Sequence, residues 1–137
     1  TDHLGSTRLV TSQTGAVVSR HDYLPFGEEI PANYGGRTTA MMYVANNTLT
    51  HRFTGKERDA ETGLDYFGAR YLASAQGRFT GVDPAAVTKR TVANPQKWNR
   101  YAYVLNNPLA FFDPNGEEEV RVTVRAFIPD SNFRYPK

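Results

Sequence analysis

Gly63-Leu64-Asp65-Tyr66-Phe67-Gly68-Ala69-Arg70-Tyr71 is the stretch on which the fold turns. Rich in aromatic residues, its part from Leu64 to Tyr71 reads as a β-strand. It is set off from the preceding strand, Leu49-Thr50-His51-Arg52-Phe53-Thr54, by the mixed-charge connector Gly55-Lys56-Glu57-Arg58-Asp59-Ala60-Glu61-Thr62-Gly63, whose default state is a solvated turn. Beyond it, Gln76-Gly77-Arg78 turns the chain into Phe79-Thr80-Gly81-Val82, and Asp83-Pro84 ends that short strand because proline carries no ladder donor.

Working outward, the same chemistry repeats. Thr7-Arg8-Leu9-Val10-Thr11 and residues 16–23 flank the turn sequence Ser12-Gln13-Thr14-Gly15, which is a hairpin signature, and Leu24-Pro25-Phe26-Gly27 stops it. Residues 28–47 form a long loop with one candidate strand, Met41-Met42-Tyr43-Val44-Ala45. Toward the C-terminus the spacing predicts one short helix over residues 95–105: Asn94 is the N-cap, Pro95 the first helical residue, and Trp98, Tyr101, Ala102 and Leu105 form its packing stripe. Leu109-Ala110-Phe111-Phe112 reads as a buried strand and Asp113-Pro114-Asn115-Gly116 as a turn. Residues 120–128 alternate as a one-sided strand, which either pairs into the same sheet or opens the next domain.

Composition agrees with a mainly β chain. Of 137 residues, 12% are aromatic and 39% hydrophobic, with 11 Gly and 8 Pro to make tight turns. The absence of cysteine excludes disulfide frameworks and thiol nucleophiles. A net charge of +2 gives nucleic-acid binding no support, and no apolar run is long enough for a membrane span. His3, His21 and His51 have no second ligand at metal spacing, so no metal or other cofactor is assigned. The chain starts at Thr1 and ends in a polar stretch, which reads as a piece of something longer. An internal echo, with Arg20 and Tyr23 before Gly27 and Arg70 and Tyr71 before Gly77, suits stacked strand–turn–strand units.

Five separated motifs then occur in one order: Asp2-His3-Leu4-Gly5-Ser6-Thr7-Arg8, Tyr23-Leu24-Pro25-Phe26-Gly27-Glu28, Arg52-Phe53-Thr54-Gly55-Lys56-Glu57-Arg58-Asp59, the Gly63 to Tyr71 stretch, and Asn99-Arg100-Tyr101-Ala102-Tyr103-Val104-Leu105-Asn106-Asn107-Pro108. Over residues 2–116 the chain resembles the Rhs (YD-repeat) core-associated domain. The resemblance implies antiparallel hairpins at the end of a β-cocoon, a hollow shell that encloses a variable C-terminal effector, in bacterial proteins that are exported or displayed at the cell surface. Residues 1–116 would be shell cap, and residues 117–137 a linker and the start of the cargo region. Its partners would be the remaining YD-repeat shell of the parent chain and that effector.

In family members that cleave themselves, two aspartates and an arginine are implicated, and the resemblance carries these roles to Asp83, Asp113 and Arg70. The physical logic is general. Two carboxylates held close do not both ionise, so one keeps a proton as acid while the other activates water, and an arginine steadies the oxyanion. The ordinary alternatives are Asp-Pro turns for Asp83 and Asp113, and stacking on Tyr71 or Tyr66 for Arg70. The sequence departs from the family where a bulky apolar residue usually follows Asp-Pro-x-Gly, with the cut after it: here Glu117 stands, followed by Glu118. Residues 84–96 also put more chain between the two aspartates than compact members carry. Three functions are therefore carried forward: a shell cap, an intramolecular aspartic-type protease cutting near Glu117-Glu118, and a sugar- or protein-binding surface built on Tyr23, Tyr43, Tyr66 and Tyr103.

Overall fold

The computed structural model describes residues 1–43 and 49–123. Its first hairpin pairs β1 (Leu9–Thr11) with β2 (Val17–Arg20), antiparallel, with Leu9 opposite Arg20 and a bulge after Val10. The turn closes as read, the Gly15 N–H donating to the Ser12 carbonyl at 3.0 Å. The Met41 to Ala45 strand is not formed where it is described: Thr39–Met41 is a single 3₁₀ turn, Tyr43 makes only an isolated bridge to Arg20, and residues 44–45 lie outside the described residues.

The centre of the molecule is a four-stranded antiparallel meander, β3 (Glu57–Arg58), β4 (Asp65–Tyr66), β5 (Tyr71–Ala73) and β6 (Arg78–Phe79), paired in that order. Two expectations change here. The stretch from Leu64 to Tyr71 is a hairpin, its turn falling at residues 67–70, where Gly68 takes φ +100°. The solvated connector contributes β3, because Arg58 has a buried partner in Asp65. The two-residue period of the strands sorts the faces: Asp65 and Leu72 are opposite each other and fully buried, whereas Tyr66 and Tyr71 are opposite each other outside, their rings 5.0 Å apart.

The helix expected over 95–105 does not form as one element. Asn94 and Pro95 do act as cap and first residue, but of a single 3₁₀ turn, Pro95–Lys97. The five-residue helix α1 (Lys89–Ala93) lies just before it, capped by Thr88 and Thr91. The packing stripe fails because Trp98 is 65% exposed, while Tyr103 is completely buried. Val104–Asn106 turn with three successive positive φ values, a left-handed stretch that costs about 1–2 kcal/mol per non-glycine residue and is held by burial of Tyr103 and Val104.

Tyr103 is the hub of the core. Phe67 and Phe79 meet its ring edge-on at 5.5 and 5.6 Å, and Phe53, Leu4, Leu72 and Val104 complete the cluster. Each buried aromatic contributes roughly 1.5–3 kcal/mol by removal from water. The final pair, β7 (Phe111–Phe112) and β8 (Val120–Arg121), is antiparallel. Of the two placements open for residues 120–128, the described part therefore pairs with the preceding strand, and residues 124–128 lie outside the described residues. β7 is shorter and less buried than read: Leu109 is exposed and its two phenylalanines half-buried.

Candidate active site

Arg70 is placed by the tight turn of the β4–β5 hairpin and packed down by the sheet. Its guanidinium lies 3.7 Å from the centroid of the Phe79 ring, so the stacking partner is Phe79 and neither tyrosine expected for it. From there it reaches three groups: Nε donates to the Gly116 carbonyl at 2.5 Å, Nη1 donates to the Arg100 carbonyl at 3.3 Å, and Nη2 stands 3.6 Å from Asp113 Oδ2. Burial pulls the Arg70 pKa down, and the negative charges of Asp83 and Asp113 oppose that pull.

Asp113 opens the Asp-Pro-Asn-Gly turn and is itself the acceptor that closes it. Its Oδ1 takes the N–H of Asn115 at 3.1 Å and of Gly116 at 2.6 Å. The turn is docked on the Arg70 hairpin by contact through two glycines. A Cβ on Gly68 would stand 2.9 Å from the Asn115 carbonyl oxygen, and one on Gly116 3.0 Å from the Arg70 nitrogen. Both glycines also have positive φ, so any other residue would be strained as well as crowded. Burial raises the Asp113 pKa, and the two N–H donors and Arg70 only partly offset it.

Asp83 enters from the end of β6. Its N–H donates to the Arg100 carbonyl at 3.0 Å, its own carbonyl accepts from Arg100 Nη2, and its Oδ1 accepts from the Ala85 N–H at 2.8 Å. The last contact is the Asp-Pro turn expected of it; Asp83 nevertheless faces the same cleft. One carbonyl, that of Arg100, thus ties Asp83 to Arg70. The fold brings together all three residues named from the sequence, in a cleft of about 190 Å³ that Glu117, Glu118, Glu119 and Lys97 also line. Lys97 Nζ pairs with Glu119 Oε1 at 2.5 Å. Sequence reading missed Arg100 and Lys97; the only signal was their cationic character close to the two aspartates in a polar segment.

Two buried polar clusters lie outside the cleft. Asp65 is held by Arg58 through two hydrogen bonds, of 2.8 and 2.7 Å, and by Ser74. His21, buried, bridges Ser19 (2.8 Å) and Glu29 (2.6 Å), and Glu29 in turn accepts from Arg52. The tyrosines proposed as a binding platform do not share a surface: Tyr103 is buried, Tyr23 packs on the core, Tyr43 is half-buried and donates to Asp22, and Tyr66 alone is exposed.

No family model matches the sequence. Toxin subunit YenC2 of Yersinia entomophaga is 36% identical over 113 residues, which are 81% of this chain and 10% of that protein. Salivary gland surface protein 1 of Aedes aegypti is 38% identical over 123 residues, 90% of this chain and 3% of that protein. Among solved structures, the Photorhabdus luminescens Tc holotoxin pore carrying an aspartate-to-alanine mutation in TccC3 matches at a TM-score of 0.65 and 30% identity, covering 93% of this chain and 5% of that one. The chain spans a tenth or less of the length of each of these relatives.

Proposed function

The chain belongs to the Rhs (YD-repeat) core-associated family and is a segment of an Rhs-type shell, and on that premise we propose that it closes a toxin shell around the polypeptide that follows it and cuts the parent chain near Glu117-Glu118. The observation that carries the cutting step is the Arg70 guanidinium, seated against the Gly116 carbonyl with Asp113 and Asp83 in the same cleft. Asp113, whose pKa is raised by burial, acts as the acid. Asp83, half-exposed and open to the cleft, takes a proton from water, and Arg70 stabilises the oxyanion as the tetrahedral carbon forms. Mass spectrometry of the expressed parent chain tests this: wild type gives two polypeptides separated in this stretch, and Asp113→Asn gives one. An uncut wild type, or a cut that survives Asp113→Asn, removes the activity.

Enclosure rests on family membership and on the core, whose aromatic side chains sit on one face of short hairpins that need neighbours on their flanks. The enclosed partner is the C-terminal continuation of the same chain, an effector carried by an exported protein. Electron microscopy of the parent should show this segment at a closed end of a hollow shell; a segment hanging outside a separate globule would refute the reading.

A further inference from the structure

The acidic run that departs from the family pattern is gripped at both ends by cations of the cleft. At its start, the Gly116 carbonyl accepts from Arg70, whose charge also feels the Glu117 carboxylate. At its end, Glu119 is paired with Lys97, and both side chains are only about a quarter exposed. Lys97 belongs to the 3₁₀ turn that ends the extra chain between Asp83 and Asp113. The two departures from the family pattern, extra chain and an acidic run, therefore meet in one ion pair.

The register follows from these two points. With Glu119 fixed by Lys97, and Gly116 set so close to the β4–β5 hairpin that a Cβ there would stand 3.0 Å from the Arg70 nitrogen, the carbonyl presented to the guanidinium is that of the Gly116–Glu117 bond. The carbonyl one residue later belongs to Glu117, and no cation holds it among the described residues. We propose that Lys97 is a positioning residue that reads Glu119, seats the acidic run across the cleft, and so selects the Gly116–Glu117 bond for hydrolysis. This rests on the self-cleavage reading for its chemistry but not for its seating. In the step, water oxygen bonds to the Gly116 carbonyl carbon as a proton passes to Asp83. The C–N bond then breaks as Asp113 protonates the departing Glu117 nitrogen, leaving a carboxylate on Gly116 and a new amino terminus on Glu117.

The test uses the full parent chain in four forms: wild type, Lys97→Glu, Glu119→Lys, and the double swap. Two readouts are taken from each. Hydrogen exchange at the amides of residues 117–120, measured in an Asp83→Asn background that prevents cutting, reads seating alone. Either single reversal should speed exchange about tenfold and the double swap should restore protection, because reversal replaces an attraction by a repulsion. Exchange unchanged by Lys97→Glu overturns the proposal whether or not the protein cuts. Time-resolved intact mass then reads the chemistry. Wild type should yield a C-terminal product beginning at Glu117, slowed about tenfold by each single change and recovered by the swap. A product beginning at Glu118 or later, or equal rates in all four, also overturns it. A wild type that never cuts but loses seating on Lys97→Glu refutes the self-cleavage reading and leaves Lys97 as the anchor of the segment.

Discussion

Replacing Arg70 by lysine keeps the charge and removes the geometry. The guanidinium serves Gly116, Arg100 and Asp113 from three nitrogens while sitting over the Phe79 ring. A lysine has one nitrogen on a flexible stem and no planar face, so it keeps at most one of these contacts well. If the one contact kept is the ion pair with Asp113, the hydrogen bonds to the Gly116 and Arg100 carbonyls are both lost, at about 1.5 kcal/mol each at the low end, or about 3 kcal/mol together. If that loss falls on the transition state, the cleavage rate drops about two orders of magnitude. The assay is a time course of parent-chain cleavage after synthesis, followed by denaturing gel and intact mass, with circular dichroism to show that the fold persists. Cutting by Arg70→Lys within threefold of wild type would refute the reasoning, since charge alone would then suffice.

Other predictions concern the scaffold of the cleft. Gly68→Ala must place a methyl group 2.9 Å from the Asn115 carbonyl at φ +100°, so the 137-residue chain should lose about 2–3 kcal/mol in urea denaturation; a loss under about 0.5 would show that the turn yields freely. Asp65→Ala leaves Arg58, whose side chain is 13% exposed, without its carboxylate and should cost about 3 kcal/mol, the low end for a buried pair, whereas the paired change Arg58→Met with Asp65→Leu should cost much less; equal losses would mean the pair is not the reason. Burial opposes ionisation of Asp22 and Glu29, but Arg37, Tyr43 and Arg8 at the first and His21 and Arg52 at the second outweigh it and lower both pKa values, so their stabilisation holds at neutral pH and is lost in acid as each protonates below 3.8 and 4.5. Asp113, raised by burial, has the opposite sign: the chain gains stability as pH falls through its folded pKa above 3.8. Urea midpoints taken from about pH 7 to 3 should therefore fall steeply only at the acid end, and Asp113→Asn should remove the gain above it; an identical profile for the mutant would contradict the burial of its charge.

Much of the fold was legible because the signals were local. The Ser12 to Gly15 turn needed only its own residues, and so did the caps at Asn94 and Pro95. Arg70, Asp83 and Asp113 were named from motif order, which survives insertions; their meeting in one cleft depends on two glycine contacts between distant turns that no local pattern encodes. The errors have physical causes too. Leu64 to Tyr71 carries strand-forming residues throughout, and the β-propensity of Phe67 and Tyr71 masked the positive φ at Gly68 that folds it in two. The helical spacing of Trp98, Tyr101 and Leu105 was coincidental: Tyr103 fills the aromatic core, and a helix over 95–105 would give up the left-handed turn at Val104–Asn106 that accompanies its burial. The connector around Lys56 to Asp59 looked solvated because the partner of Arg58 is a buried aspartate on a strand, a residue type that composition places outside.

The shell reading is tested most directly by protease challenge of the region that follows residue 137 in the parent. Digestion of the intact protein is compared with digestion of a form lacking residues 1–116, each alongside the same region expressed alone. The region should resist in the intact protein and be degraded, at the rate of the free polypeptide, once residues 1–116 are gone. Equal resistance with and without them would show that this segment encloses nothing.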